Sequence, residues 1–190
     1  SIIACDLFTV ESIRAKTLHV LFFIELHSRR VLLGGITDGP ANVSWTAQIA
    51  RNLTEARESR DAPVRFLVHD RDHRFGPVFD EVFRAEGIEI LRTPFRAPRA
   101  NAYAERFIRT VRQECLDRII VLGRWHLQGV LSTFVDHYNV ERPHRSLGLV
   151  PPDPPKLHVI LGAQDPPQPS DIGSRSKLGG VIREYYRRAA

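Results

Sequence analysis

Three apolar runs, IIACDLFTV (2–10), TLHVLFFIEL (17–26) and VLLGGI (31–36), open this chain with short polar breaks between them. Val, Ile, Leu, Phe and Thr dominate all three, which suits a pleated, buried surface. Consecutive strand signals joined by short breaks predict an antiparallel meander. The first run carries one acid, Asp6. An ionised carboxylate inside an apolar strand is costly unless it is paired or bound to metal. The plainer reading is that Asp6 faces solvent on an edge strand.

Downstream, strands and helices alternate. Residues 37–40 (TDGP) read as a turn, and Asn42 as the cap of a helix to about residue 57, with Val43, Ala47, Ile49, Ala50 and Leu53 in its apolar stripe. Residues 65–69 form a fourth strand ending at Asp70; Val78, Phe79, Val82 and Phe83 recur at helical spacing; Gly87 supplies the stop and residues 88–91 a fifth strand. A loop at 93–100 leads to helices over 101–114 and 124–138, the second carrying Val130, Leu131, Phe134 and Val135. The predicted class is α/β: a mixed five-stranded sheet, meander first, with flanking helices. Residues 1–150 are expected to form this core. The prolines from Pro151 to Pro169 predict an extended linker over 151–177, followed by a helical tail over 178–190.

With 190 residues, 43% of them hydrophobic, the chain can bury one good-sized core and little more. A formal charge of +5 and a pI near 9.7 favour a polyanionic partner, because Lys and Arg that neutralise phosphates release counterions. Cys5 and Cys115 have no CxxC partner, so neither a disulfide framework nor a structural zinc site is expected. No apolar run approaches the roughly 20 residues of a membrane span, and no membrane partner is expected; the cytoplasm is the default location. The chain has no methionine, and Asp6 falls close to its start, so it reads as the C-terminal part of a longer protein.

Two further acids join Asp6. Asp70 ends the fourth strand in HDRDHRF (69–75), at the kind of strand end where ligand-binding side chains emerge. Asp72 competes for its role but lies out in the turn; the plainer reading of Asp70 is an acid satisfying turn backbone. Glu105 lies on the helix NAYAERFIRTVRQE (101–114), where Asn101, Glu105, Arg109 and Arg112 share a polar face opposite Ala104, Phe107, Ile108 and Val111. A Glu in a first turn is favoured by the helix dipole alone, but that explains neither the asparagine nor the arginines beside it. Carboxylates suit hard Mg2+ or Mn2+, and two such ions roughly 3.5–4 Å apart can drive an in-line displacement at phosphorus. The eight histidines are scattered, so a zinc hydrolase is not supported.

The combination of ACDLFTV (4–10), HDRDHRF (69–75), TPFRAPRANAYAERFIRTVRQE (93–114) and HYNVERPHRSLG (137–148) followed by Pro151-Pro152 resembles the catalytic core of insertion-sequence transposases in the retroviral-integrase superfamily. The resemblance covers about residues 1–155. It implies a ribonuclease-H-like fold, with Asp6, Asp70 and Glu105 matching the DDE triad that holds Mg2+ or, in its place, Mn2+. Asn101 matches the asparagine one turn before the catalytic glutamate, and Arg112 a basic residue assigned to DNA. Asn139, Arg142, Pro143, His144 and Leu147 match the family's NxxRPHxxL signature. Two departures stand out: 34 residues separate Asp70 from Glu105, one fewer than usual, and Arg71-Asp72 stands where many relatives have Asn-Gly.

The resemblance implies two-metal cleavage at a DNA 3′ end and strand transfer into target DNA, by a homo-oligomer of at least two copies, without an organic cofactor. Arg96, Arg99, Asn101, Arg109, Arg112, Arg142 and His144 are the expected DNA contacts. The upstream helix-turn-helix of such transposases is not in this sequence, which gives a rival reading, a non-catalytic DNA-binding remnant or regulator. A ribonuclease-H-like nuclease that cleaves without joining is the third.

Overall fold

The computed structural model describes residues 1–55, 63–93, 101–154 and 168–188. Strands β1 (Ile2–Glu11), β2 (Thr17–Glu25) and β3 (Val31–Thr37) pair antiparallel, as the three opening runs predict. Helix α1 (Val43–Glu55) follows; the Asn42 side chain caps it by accepting the Trp45 N–H at 3.0 Å. Strands β4 (Phe66–His69) and β5 (Glu89–Arg92), joined through helix α2 (Pro77–Ala85), add in parallel to β1, giving the order β3-β2-β1-β4-β5. Helices α3 (Ala102–Glu114) and α4 (Arg124–Val140) complete the core. The predicted last turn of α1 at residues 56–57, the loop residues Arg96 and Arg99, and residues 155–167 of the predicted linker lie outside the described residues.

Alternation along β1 decides what each face of the sheet meets. Ala4, Phe8 and Val10 pack with Ala104, Phe107 and Val111 of α3 and with Leu127, Leu131 and Phe134 of α4. Ile3 and Cys5 face the other layer, with Ile49 and Ala50 of α1 and Phe79 and Phe83 of α2. A sheet covered on both faces reads as near-continuous hydrophobic runs, which is what the sequence carries. Tight approach of α1 rests on glycine: a Cβ at Gly35 would stand 2.5 Å from the Ile49 side chain. The buried face of α2 is Phe79, Asp80 and Phe83, while Val78, expected in its apolar stripe, is 49% exposed.

The tail is a correction. Residues 172–177, expected in a linker, form strand β6 (Ile172–Lys177), and the predicted helix over 178–188 is a turn followed by strand β7 (Ile182–Arg187), paired antiparallel to β6. Two local features outweigh helix formation here. Gly179 and Gly180 have φ of 64° and 95°, a turn conformation open to glycine. After them, Ile182 and Glu184 point inward while Arg183 and Tyr185 point outward, a period of two. Ile182 enters the α3/α4 core cluster, so the hairpin docks on the main body. No helix among the described residues is long and apolar enough to cross a membrane.

Candidate active site

Register brings the first two acids together. Ala4 of β1 lies opposite Val68 of the parallel strand β4. Two residues further along both strands are Asp6 and Asp70, which therefore project from the same face as Ala4 and Val68, the face that α3 covers. Glu105 occupies the first turn of α3 and is exposed. Asn101, at the N-cap of α3, ties helix to strand: its Nδ2 donates to the Cys5 carbonyl at 3.2 Å and to Asp6 Oδ2 at 3.4 Å.

Electrostatics records the grouping. Burial raises the Asp6 carboxyl to about 6, the Leu7 N–H donated to Asp6 Oδ1 at 2.7 Å opposes the rise, and the charges of Asp70, Glu105 and Asp72 add to it. All three candidate acids thus share one field. Among the described residues, however, no three His, Cys, Asp or Glu side chains are gathered closely enough to hold a metal ion as they stand. The expectation of carboxylates already converged on a shared ion is not met. Like charges repel at short range, and both aspartates have turned an oxygen to backbone, Asp6 to Leu7 N–H and Asp70 to Asp72 N–H at 3.0 Å.

The donor chemistry nevertheless fits a hard divalent cation. The site offers carboxylate oxygens, and Asn101 Oδ1 beside them is buried without a hydrogen-bond partner. The nearby thiol of Cys5 is fully buried on the opposite face, and burial followed by the Asp6, Asp70 and Asp80 charges pushes its pKa well up, so it stays a neutral core group.

Asp72 is engaged elsewhere. Its carboxylate accepts the Arg74 backbone N–H and Arg74 Nε at 2.9 Å, and these bonds hold it below the usual carboxylate range. Asp70 is braced from behind through its backbone. His69, wholly buried, contacts the Asp70 carbonyl through Nδ1 at 2.6 Å and Asp80 Oδ1 through Nε2 at 3.0 Å, while Arg92 donates to Asp80 Oδ2 at 2.6 Å. Sequence reasoning missed both Arg74 and this His69–Asp80–Arg92 chain. The available signal was Asp80 itself, an acid beside Phe79 on the apolar side of α2, with partners 11 and 12 residues away.

The basic residues divide. Arg109 is exposed on α3. Arg112 donates through Nη2 to the Thr9 carbonyl at 2.8 Å rather than pairing with Glu114. Glu114 instead takes both Nε and Nη2 of Arg142, at 2.9 and 2.6 Å. His144 is buried, its Nε2 at 3.2 Å from the Tyr138 carbonyl, and burial lowers its pKa. Asn139 exchanges two hydrogen bonds with Val31, at 2.9 and 2.8 Å. These signature residues lock α4 to β3 and to α3.

Residues 86–152, which carry Glu105, α3, α4 and the 137–148 signature, match the family model described as integrase core domain. Over most of its length the chain is similar to insertion-sequence transposases. It is 25% identical over 136 residues to the putative transposase InsD for insertion element IS2E of Escherichia coli K12, covering 70% of this chain and 62% of that protein. The match to transposase InsD for insertion elements IS2A/D/F/H/I/K of Escherichia coli has the same identity and covers 45% of that protein. The chain thus spans between 45% and 62% of the length of these curated relatives.

Among solved structures, the catalytic core domain of BIV integrase aligns with a TM-score of 0.52 at 15% identity, over 80% of this chain and 90% of that one. The HTLV-2 integrase catalytic core domain, solved in complex with magnesium, aligns at 0.57 and 11%, over 78% and 91%. A simian T-cell lymphotropic virus intasome aligns at 0.63 and 12%, over 97% and 66%. At such identities the likeness is one of fold: the chain has the architecture of integrase catalytic cores, the ribonuclease-H-like fold that the resemblance implied.

Proposed function

We propose that the chain is the catalytic core of a DDE transposase, a polynucleotidyl transferase that cleaves a DNA 3′ end and joins it to target DNA. The observation that carries this reading is geometric: Asp6 of β1 and Asp70 just past the end of the parallel strand β4 lie on the sheet face covered by α3, whose first turn carries Glu105, and the charges of Asp70 and Glu105 add to the rise that burial gives the Asp6 carboxyl. Asp6, Asp70 and Glu105 would hold the metal. A divalent cation held there, Mg2+ or Mn2+, would supply the Lewis acidity that an in-line displacement at phosphorus needs.

The remaining steps belong to the protein. Asn101 holds the Asp6 side chain toward α3 through its Nδ2. The buried His69–Asp80 pair fixes the backbone at Asp70. Arg109 and Arg112 lie beyond Glu105 on the same helix face, where they would hold phosphates of the strand and so position DNA without specifying its sequence. The partners on this reading are DNA ends, target DNA and at least one further copy of the chain, in the cytoplasm. Incubation of the purified chain with Mn2+ and a labelled oligonucleotide bearing a pre-exposed 3′ end tests it. Joined product is expected. Cleavage without joining would mark a nuclease of the same fold, and DNA bound but unaltered would mark a non-catalytic remnant.

A further inference from the structure

Helix α3 presents three sides. Ala104, Phe107 and Val111 enter the core, and Glu105, Arg109 and Arg112 follow one another along a second, polar side. The third side, carrying Tyr103 and Arg106, walls a cleft of about 670 Å³ that none of the chemistry above uses. Its far wall is the end of α4 and the segment behind it, with Tyr138, Arg142 and Arg145, and Arg29 closes one end from the β2–β3 turn. The volume falls in the range of small-ligand sites, roughly 300–1,000 Å³.

The charges there are unequal in availability. Arg142 is already neutralised by Glu114. Arg106 and Arg145 form no ion pair among the described residues, and both are exposed. Arg29 donates to the Leu26 carbonyl and lays its guanidinium over the Tyr103 ring, 3.7 Å from the centroid. One face of Tyr103 is therefore covered and the ring is held in place, while the residue remains 41% exposed. A fixed aromatic surface beside two free guanidiniums, within a concavity, matches the combination by which proteins hold unstacked bases and their phosphates.

We propose that this cleft holds an unpaired nucleotide of DNA, its base stacked on Tyr103 and its phosphate between Arg106 and Arg145. The proposal rests on the DNA-processing reading above and extends it. A base inside a duplex is stacked on both sides and cannot enter a concave site, so the ligand is a strand that has left the helix. Arg106 of the cleft directly follows Glu105 in α3, so the two sites share one helix and a strand held at the acids would meet the cleft with nucleotides that have left the duplex. An acidic polypeptide would satisfy the arginines but would leave Tyr103 without a stacking partner.

The test is binding measured by fluorescence anisotropy without divalent ions, which separates it from any chemistry. A labelled duplex with a short single-stranded overhang is compared with its blunt counterpart. Tyr103→Ala is expected to weaken the overhang substrate about tenfold and the blunt duplex less than about twofold, with Tyr103→Phe restoring affinity. Arg106→Ala with Arg145→Ala, both at exposed positions, should lower the salt slope for the overhang by about 0.7 per contact. Equal losses on blunt and overhang DNA would overturn the proposal, and so would competition by an oligo-glutamate peptide with the same dependence on Tyr103. Joining activity in the wild type alongside an unchanged overhang affinity in Tyr103→Ala would overturn the cleft alone. Loss of overhang binding in that variant, with no joining by the wild type, would sustain the cleft and remove the transposase reading.

Discussion

Asp70 and Asp72 are two residues apart and differ in what holds them. Arg74 engages the Asp72 carboxylate through its guanidinium and backbone N–H, whereas Asp70 accepts the Asp72 N–H and is braced only through its own carbonyl. Replacing Asp70 by Asn is therefore expected to abolish joining while leaving DNA affinity within about threefold, since on the proposed function it removes a metal ligand from an otherwise unchanged cationic surface. Asp72→Asn breaks a partly exposed ion pair and should cost activity no more than about tenfold. Paired joining and binding assays decide between them; abolition of joining by Asp72→Asn would reverse the assignment. The brace behind Asp70 has a separate readout. Asp80 is wholly buried against His69 and also takes the exposed Arg92, so Asp80→Ala leaves the buried imidazole without its partner and is expected to lower unfolding free energy by about 1–3 kcal/mol in urea titrations. A change under about 0.5 kcal/mol would mean that the His69–Asp80 contact is not a brace.

Secondary elements were legible in proportion to how much of their signal was local. The apolar runs of β1–β3 and the polar and apolar sides of α3 announced themselves, because sheet pleat and helix pitch impose their periods directly on the sequence. The tail did not. Beyond Gly179-Gly180 the run is too short for its alternation to stand out, and only pairing reveals it: Gly173 lies opposite Tyr186, whose ring a Cβ at Gly173 would meet at 2.6 Å. What fixes the hairpin is Glu184, 4% exposed, which no periodicity would place inside. Burial alone would raise its carboxyl, but hydrogen bonds from Lys177, Arg175 and His137 outweigh that and hold it at about 2. A carboxyl depressed in the folded state contributes stability that is present above its unfolded pKa and lost as pH falls toward the folded value. Between about pH 5 and about pH 3 the wild type is expected to lose on the order of 1–2 kcal/mol more than Glu184→Gln, measured by urea unfolding at both pH values. Parallel losses in the two proteins would show that the hairpin is not held by this carboxylate.

At the scale of the whole molecule, the sequence shows which residues are basic but not which are free. Arg142, read as a DNA contact by resemblance, pairs with Glu114, 28 residues before it, and His144, read likewise, lies against the Tyr138 carbonyl; neither partner is marked in the sequence. The same pairing frees the face beyond Glu105. Had Glu114 taken Arg112, the pair would be an exposed ion pair contributing about 0–1 kcal/mol and nothing to DNA. Instead Arg112 spends one nitrogen on the Thr9 carbonyl, which anchors the guanidinium near Phe8 and leaves its other N–H groups for phosphate, while Arg109 makes no ion pair among the described residues. A duplex whose phosphate lies at the acids would therefore meet Arg109 first and Arg112 a turn later. Arg109→Ala and Arg112→Ala should each weaken binding to unrelated duplexes to a similar extent and reduce the slope of log affinity against log salt by about 0.9 per lost phosphate contact. Salt titrations on two duplexes of unrelated sequence check this: an unchanged slope in both variants would mean that DNA does not follow α3, and sequence-dependent losses would mean that these arginines read bases.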